Sequence, residues 1–569
     1  MSFADLYDCA FKNLILKRFT SAKTDCSNSV KGKDGETEVI TLDNVMNKSR
    51  YLIFYLISSS GGRASELILP LKRLQEARNG GNSNGHKTSP ARIRRFFGVG
   101  HKSKKKKLLE AKDVDVIVID VDHVSDEQNC SNFADSGWYT LAPITYMAKS
   151  RLLRSLKYQS TPSLLVVDTT CRQVICTDGR RIISEDPSGT SFPWLNPSPE
   201  QLFDGIVLKN PPEDSETGNL IKLDYNELPQ CVKGLYFGAN WCPPCRSFTK
   251  QLITAYKSLK EAGVSFEIFF CSSDRSEESF ENHFATMPWL AFPFDHEKLN
   301  LLARIYNVNG IPAFLILDEK NKLITRHGRN AILGDPHGKF FPWGPQLMFE
   351  LNECTLCRLR DIPTLILFTE GTPEDVSFSV EVLRPTAEML FAERGELLKR
   401  TPSKESSSQD EDGGDNSNCT SPDLTHSTNS VDSISSTEVA LPAWADPLQV
   451  FYTGEDPICD LVLEGLRLGD AELPVVVIVD VIGGLMAVCQ KPDVSTEIIE
   501  EFVAEYKSGR LDMTPLPAAC QNHNNQIGGI PIGVVNHILG VGNSPSQSSI
   551  ANEKLSSPQL QNGNCSVVL

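Results

Sequence analysis

The chain has 569 residues, 40% hydrophobic and 22% charged, the balance of a globular protein with room for about three or four domains. A formal net charge of −16 argues against a general nucleic-acid binder, and no apolar run reaches the roughly 18 residues that a membrane-spanning helix needs. Asp5, Asp8, Lys12, Lys17 and Arg18 break any signal-peptide core, and the 16 cysteines are scattered, so mostly reduced thiols, in the cytosol or nucleus, are expected.

Residues 1–37 are weakly patterned and read as a lead-in. A first domain is expected over 38–210. It opens with Tyr51–Ile57 as a buried strand, then Ser58-Ser-Ser-Gly-Gly62 and a helix carrying Leu67, Leu71 and Leu74. Residues 79–112 are an insertion that becomes basic at Arg92, Arg94, Arg95, Lys102 and Lys104–Lys107. Such a run fits a nuclear-localisation signal, an anionic-surface patch or a plain solvated loop. Val114–Ile119 and Ser163–Asp168 are further strands, the second entered through Thr161-Pro162.

The second domain, 215–350, holds the stretch with the most chemistry in it: Trp241-Cys242-Pro243-Pro244-Cys245-Arg246. An apolar strand-like run, Cys231–Gly238, precedes it. A helical run follows from Ser247 to Ala262, with Phe248, Leu252, Tyr256 and Leu259 on one face. A Cys-x-x-Cys where a strand meets a helix is the form of a dithiol redox site. The helix terminus favours a thiolate at Cys242, Cys245 stands one turn in as the resolving thiol, and two prolines stiffen the turn between them. No second Cys/His pair stands nearby at zinc-like spacing. Phe266–Cys271 reads as a strand, Asp274 and Glu277 as a capping box for the next helix, and Lys298–Tyr306 as another helix. Gly310-Ile311-Pro312 leads into the strand Ala313–Asp318, with Lys322–Arg326 as its hairpin return.

The two domains repeat each other. Thr161-Pro162 and the strand to Asp168 match Ile311-Pro312 and the strand to Asp318. Gly179-Arg180 matches Gly328-Arg329, Asp186-Pro-Ser-Gly189 matches Asp335-Pro-His-Gly338, and Phe192-Pro-Trp194 matches Phe341-Pro-Trp343. Ser58–Gly62 falls where the repeat would put its dithiol, so the first domain reads as a redox-dead copy.

Cys354-Thr-Leu-Cys357 repeats the dithiol spacing but precedes a strand rather than opening a helix. Of a second redox pair and two incidental thiols near a linker, the spacing without a helix start therefore favours the latter. A third unit is expected over 360–515: strand Ile362–Thr369, a helix to about Arg400, an interruption at 401–441, strand Leu448–Tyr452, and Leu473-Pro474 entering Val475–Asp480. A helix from Thr496 to Tyr506 closes it. The Ser/Asp/Glu-rich 401–441 and the Asn/Ser/Gly/Gln-rich tail 520–569 have the composition of disorder. The linker fits a phosphorylation target or an inert spacer, the terminal Ser566-Val-Val-Leu569 fits a PDZ ligand, and Cys565 is one position too early for a prenylation box.

The order strand, dithiol, helix, strand, helix, proline, hairpin is that of a thioredoxin fold. Four strings narrow it: Tyr236–Thr249, Ser273–Phe280, Met287-Pro-Trp-Leu290 and Phe341-Pro-Trp-Gly344. Together they resemble the nucleoredoxin family, with the tryparedoxins, which share Trp-Cys-Pro-Pro-Cys, as single-domain relatives. The likeness is dense over 215–350, weaker over 38–210 and faint over 360–515. It implies an α/β chain of three tandem thioredoxin-like domains, each a central mixed sheet flanked by helices, with one intact dithiol.

The implied activity is protein-disulfide reduction with no bound cofactor. Reducing equivalents would come from NADPH through thioredoxin reductase or a similar dithiol donor. The implied partners are protein disulfides and a signalling protein of the Dishevelled type in the Wnt pathway. By motif, Cys242 attacks, Cys245 resolves, Trp241 shields the pair, and Pro312 is a cis proline facing it, with the Ile311 backbone pairing with substrate. One departure stands out. Thioredoxins keep a buried acid six positions before the first cysteine, and here that position is Tyr236, so activation rests more on the helix terminus. A second reading, a redox-gated scaffold, draws on the two domains without a dithiol.

Overall fold

The computed structural model describes residues 2–18, 39–58, 66–79, 112–121, 133, 136–158, 161–195, 197, 199–212, 219–308, 310–400, 446–517, 526–527 and 530–531. Most of the basic insertion, Ser59–Gly62, the 401–441 linker and nearly all of the tail lie outside the described residues. The described chain is α/β, built on three mixed sheets of seven, seven and six strands with helices against them, plus one two-stranded ladder. No helix among the described residues is long and apolar enough to cross a membrane.

The middle sheet positions the dithiol. Its central strand, Val232–Gly238, runs parallel to Phe266–Ser272 and antiparallel to Ala313–Leu317. Because strand side chains alternate between faces, the same three strands feed two cores. Tyr236, Ile268, Phe270, Phe314 and Ile316 enter one. Leu235, Phe237, Phe269, Cys271, Leu315 and Leu317 enter the other. A parallel neighbour requires a crossover. The helix Pro243–Glu261 supplies it and buries Phe248, Leu252, Tyr256 and Leu259 on the sheet. The hairpin return strand is Leu323–Thr325.

The repeat extends to single hydrogen bonds. Thr161-Pro162, Ile311-Pro312 and Leu473-Pro474 are all cis and each opens an inner strand, and Phe192-Pro193 and Phe341-Pro342 are a second matched cis pair. Asp186 accepts from the backbone of Thr190 and Ser191 and the indole of Trp194. Asp335 does the same for Lys339, Phe340 and Trp343. The paired glycines have a steric reason: a Cβ would stand 2.8 Å from the Leu164 carbonyl oxygen at Gly179 and 2.7 Å from that of Phe314 at Gly328.

Residues 3–18 correct the expected lead-in. Phe3, Leu6, Tyr7, Phe11, Leu14 and Leu16 are buried against Leu52, Phe54 and Leu56. Ile15–Arg18 pairs antiparallel with both Val39–Thr41 and Tyr139–Leu141. Four residues paired with a strand so far downstream leave no local pattern. Two boundaries also move. Ile206–Lys209, expected in the first domain, pairs with Leu290–Ala291 and Ile221–Asp224 of the middle sheet. Phe349–Leu351 pairs with Gln449–Thr453 in the third sheet.

The first and third sheets are fastened through the helix Tyr146–Ser155. Met147 packs among Leu365, Val450, Ile478 and Val503 of the third core. Arg151 chelates Asp446 at 2.6–3.0 Å. Arg154 pairs with Asp446 at 3.1 Å and also with Asp480, which accepts from Ser150 as well.

Candidate dithiol site

The central strand ends at Gly238, and the chain turns sharply through Ala239, Asn240 and Trp241. The Cys242 N–H closes that turn on the Ala239 carbonyl, 3.2 Å away. Cys242 has extended backbone angles and is the N-cap of the 19-residue helix Pro243–Glu261, with Pro243 and Pro244 at its first positions. Those two positions point their amides out of the helix, so prolines forfeit nothing there. Cys245 lies inside the first turn.

Both thiols are free, with Cys242 5% exposed and Cys245 fully buried. Burial, and then a hydrogen bond with Cys242, push the Cys245 thiol well above the usual cysteine range. An attacking sulfur with a protonated partner behind it is the order of events a dithiol exchange needs.

The other expected site residues gather here. Ile311, next to the cis Pro312, packs against the cluster of Ala239, Cys242 and Cys245. Trp241 is half-exposed beside the pair, its indole N–H donating to the Ser273 carbonyl at 3.1 Å. The Arg275 guanidinium stands 5.3 Å from that ring, a contact absent from the sequence reading although Ser273-Asp-Arg275 belongs to one of the shared strings.

Asp274 takes a different place from the one expected. Ser276 is the cap of the helix Glu277–Phe284, accepting from the Ser279 amide. Asp274, 2% exposed, instead accepts from the Asn240 amide at 2.8 Å and from the hydroxyls of Ser272 and Ser279. It holds the active loop rather than the helix end. A capping box and a loop-anchoring aspartate share the same local residues, so only the fold separates them.

Tyr236 stands where thioredoxins have an acid. Its ring is buried beneath the dithiol helix, with its hydroxyl 3.0 Å from the Cys245 carbonyl oxygen and 2.8 Å from Thr249 Oγ1. Burial raises its hold on the proton far beyond neutral pH, so it serves as a neutral strut. Tyr236→Phe is expected to cost about 1 kcal/mol of stability by denaturant unfolding, because Thr249 keeps its own bond to the Cys245 carbonyl. A loss of disulfide-reducing activity much larger than that would mark the hydroxyl as part of the chemistry.

Comparison with known proteins places these features in context. A family described as "Thioredoxin-like" matches residues 231–323, and "Thioredoxin-like, C-terminal domain" matches 346–510. Nucleoredoxin of Danio rerio is 31% identical over 419 residues, covering 73% of this chain and 87% of the relative. Nucleoredoxin of Homo sapiens is 31% identical over 385 residues, covering 67% and 76%. Among solved structures, tryparedoxin II from C. fasciculata is 34% identical, covering 26% of this chain and 98% of its own, at a TM-score of 0.23.

Proposed function

This chain belongs to the nucleoredoxin family of thioredoxin-like oxidoreductases, and from that membership we propose that it reduces protein disulfides through Cys242 and Cys245. The observation that supports this most is the placement of the pair. Cys242 closes the N-terminal end of a long helix, Cys245 is buried one turn on, and Ile311 packs beside both. Cys242 attacks one sulfur of the substrate disulfide and the other sulfur leaves as a thiol. Cys245 then attacks Cys242 Sγ, releasing the second substrate thiol and leaving Cys242–Cys245 oxidised.

In this reading the site needs no resident cofactor. A dithiol donor of the thioredoxin-reductase type, drawing on NADPH, restores the reduced pair. The substrate chain lies along the Ile311 backbone, Trp241 covers the flank, and the chain comprises three thioredoxin-like domains of which the middle one is catalytic. Signalling proteins of the Dishevelled type are the proposed targets, in cytoplasm and nucleus.

The test is reduction of insulin's disulfides under a thiol reductant, beside Cys242→Ser. Activity equal in both proteins overturns the reading. A redox-gated scaffold is the second reading, favoured by the buried fastening of the first sheet to the third. After the third sheet's inner strand, Thr364–Phe368, the chain continues Thr369-Glu-Gly-Thr-Pro373 with no cysteine.

A further inference from the structure

The connection from the middle sheet to the third carries the other Cys-x-x-Cys, and the fold surrounds it with groups that lie apart in sequence. The Asn352 side-chain oxygen accepts the amides of Cys354 and Thr355, both at 3.0 Å, and Leu356–Arg360 forms a 3-10 helix. Cys357 is therefore inside a helical turn, contrary to the expectation of a bare lead into a strand. Cys354 lies in the turn just before this helix, and the Cys357 thiol donates back to the Cys354 carbonyl oxygen at 3.6 Å. Both sulfurs are free and half-buried.

His327 reaches this turn from the residue just before the helix Gly328–Gly334. Its Nε2 is 2.9 Å from Asp361 Oδ1, and the Cys357 side chain lies close enough to the ring to act on its charge. Cys357 is partly exposed, while the imidazole is 14% exposed and the carboxylate 36%. Burial alone would lower the His327 pKa, but the hydrogen-bonded Asp361 and then the neighbouring Cys357 outweigh it and hold it at about 9. A protonated imidazole has two N–H donors: one serves the carboxylate, which leaves the other available to a thiolate formed beside the ring. A nucleophile beside a basic side chain, itself oriented by a third group, is the arrangement by which proteins activate sulfur and oxygen.

We propose that Cys357 and Cys354 are a second redox-active dithiol that takes low-molecular-weight disulfides, with His327 and Asp361 positioning the attack. Cys357 Sγ attacks one sulfur of the disulfide, forming a mixed disulfide and expelling the other half as a thiol, while the His327 imidazolium offsets the charge on the attacking sulfur. Cys354 then attacks Cys357 Sγ, releases the second half as a thiol, and leaves a Cys354–Cys357 disulfide. Two protein thiols are oxidised, one disulfide is reduced to two thiols, and the two thiol protons pass to the products. The order follows from the surroundings. Among the described residues Cys354 has no imidazole partner, and burial, with Glu353 next, pushes its thiol up to about 11, as suits a group that acts second. A slim disulfide fits sulfurs that are half-buried better than one carried on a folded protein surface does.

The test uses the full-length chain with Cys242→Ser and Cys245→Ser, so its outcome is independent of the main site. Glutathione disulfide is the probe, and peptide mass spectrometry after thiol blocking is the readout. A Cys354–Cys357 disulfide is expected, and adding Cys354→Ser should leave glutathione on Cys357. In that background Cys357 should react faster than the exposed Cys171, and His327→Gln should slow it by at least about tenfold. The advantage over Cys171 should persist through neutral pH and fade as pH rises through 9, as the imidazolium is lost. If His327→Gln disturbs folding, Asp361→Asn provides the same comparison. Reaction at Cys357 no faster than at Cys171, or unchanged by both variants, overturns the proposal.

Discussion

Cys242→Ser is expected to lower insulin reduction by at least about a thousandfold, since a serine hydroxyl cannot replace a thiolate in disulfide exchange and no step precedes its attack. Cys245→Ser should behave differently. The attack by Cys242 still occurs, but nothing behind it breaks the resulting bond, so turnover falls while mixed disulfides accumulate. Those adducts should disappear on reduction and be absent from a Cys242→Ser/Cys245→Ser chain. The asymmetry comes from the structure: Cys242 caps the helix, whereas Cys245 is fully buried with its thiol held protonated. Equal trapping by either single variant would refute the assignment of roles. Partners retained without any covalent link by the doubly substituted chain would favour the scaffold reading.

The second large effect is expected far from any cysteine. Arg154 and Asp480 are 10% and 1% exposed where the first sheet's helix meets the third sheet. Neither has water enough to stabilise its charge alone. Asp480→Ala should therefore cost about 3–5 kcal/mol in denaturant unfolding, the usual loss when one partner of a buried pair is removed. Arg154→Met with Asp480→Leu should cost much less, because no uncompensated charge remains. If the double variant is as damaged as the single one, packing rather than charge holds the junction. The single variant should also draw the denaturant midpoints of the first and third units apart, since the pairing with Asp446 and the packing of Met147 and Ile482 would then be left to hold the junction.

The sequence foreshadowed the parts of the fold whose signals are local. Trp241–Arg246 marked the strand-to-helix junction, and the prolines at 162, 312 and 474 marked the entry to an inner strand in each sheet. Most strands and helices were legible to within a few residues because their apolar periodicity is strong. What escaped was non-local. Phe3–Arg18 looked unpatterned because its meaning lies in pairing with Tyr139–Leu141. Asp274 looked like a cap because its true donor, the Asn240 amide, is 34 positions away. The link of Arg154 to Asp480 spans 326 positions and His327 to Asp361 spans 34, so neither pair could be proposed from spacing. Tyr236 stands out in the sequence as a missing acid, yet its role as a strut between strand and helix lies in bonds to Cys245 and Thr249 that spacing does not show.

The exposure of Trp241 has an optical consequence. Among the described residues the other tryptophans, Trp138, Trp194, Trp289 and Trp343, are at most 4% exposed, while Trp241 is 50% exposed beside the dithiol. Indole emission shifts to longer wavelength in water, so the red edge of the described tryptophans' fluorescence belongs to Trp241. Thiols and disulfides also differ as quenchers of a neighbouring indole. The protein thus carries its own spectroscopic probe, placed where the redox state changes and separable by wavelength from the silent cores.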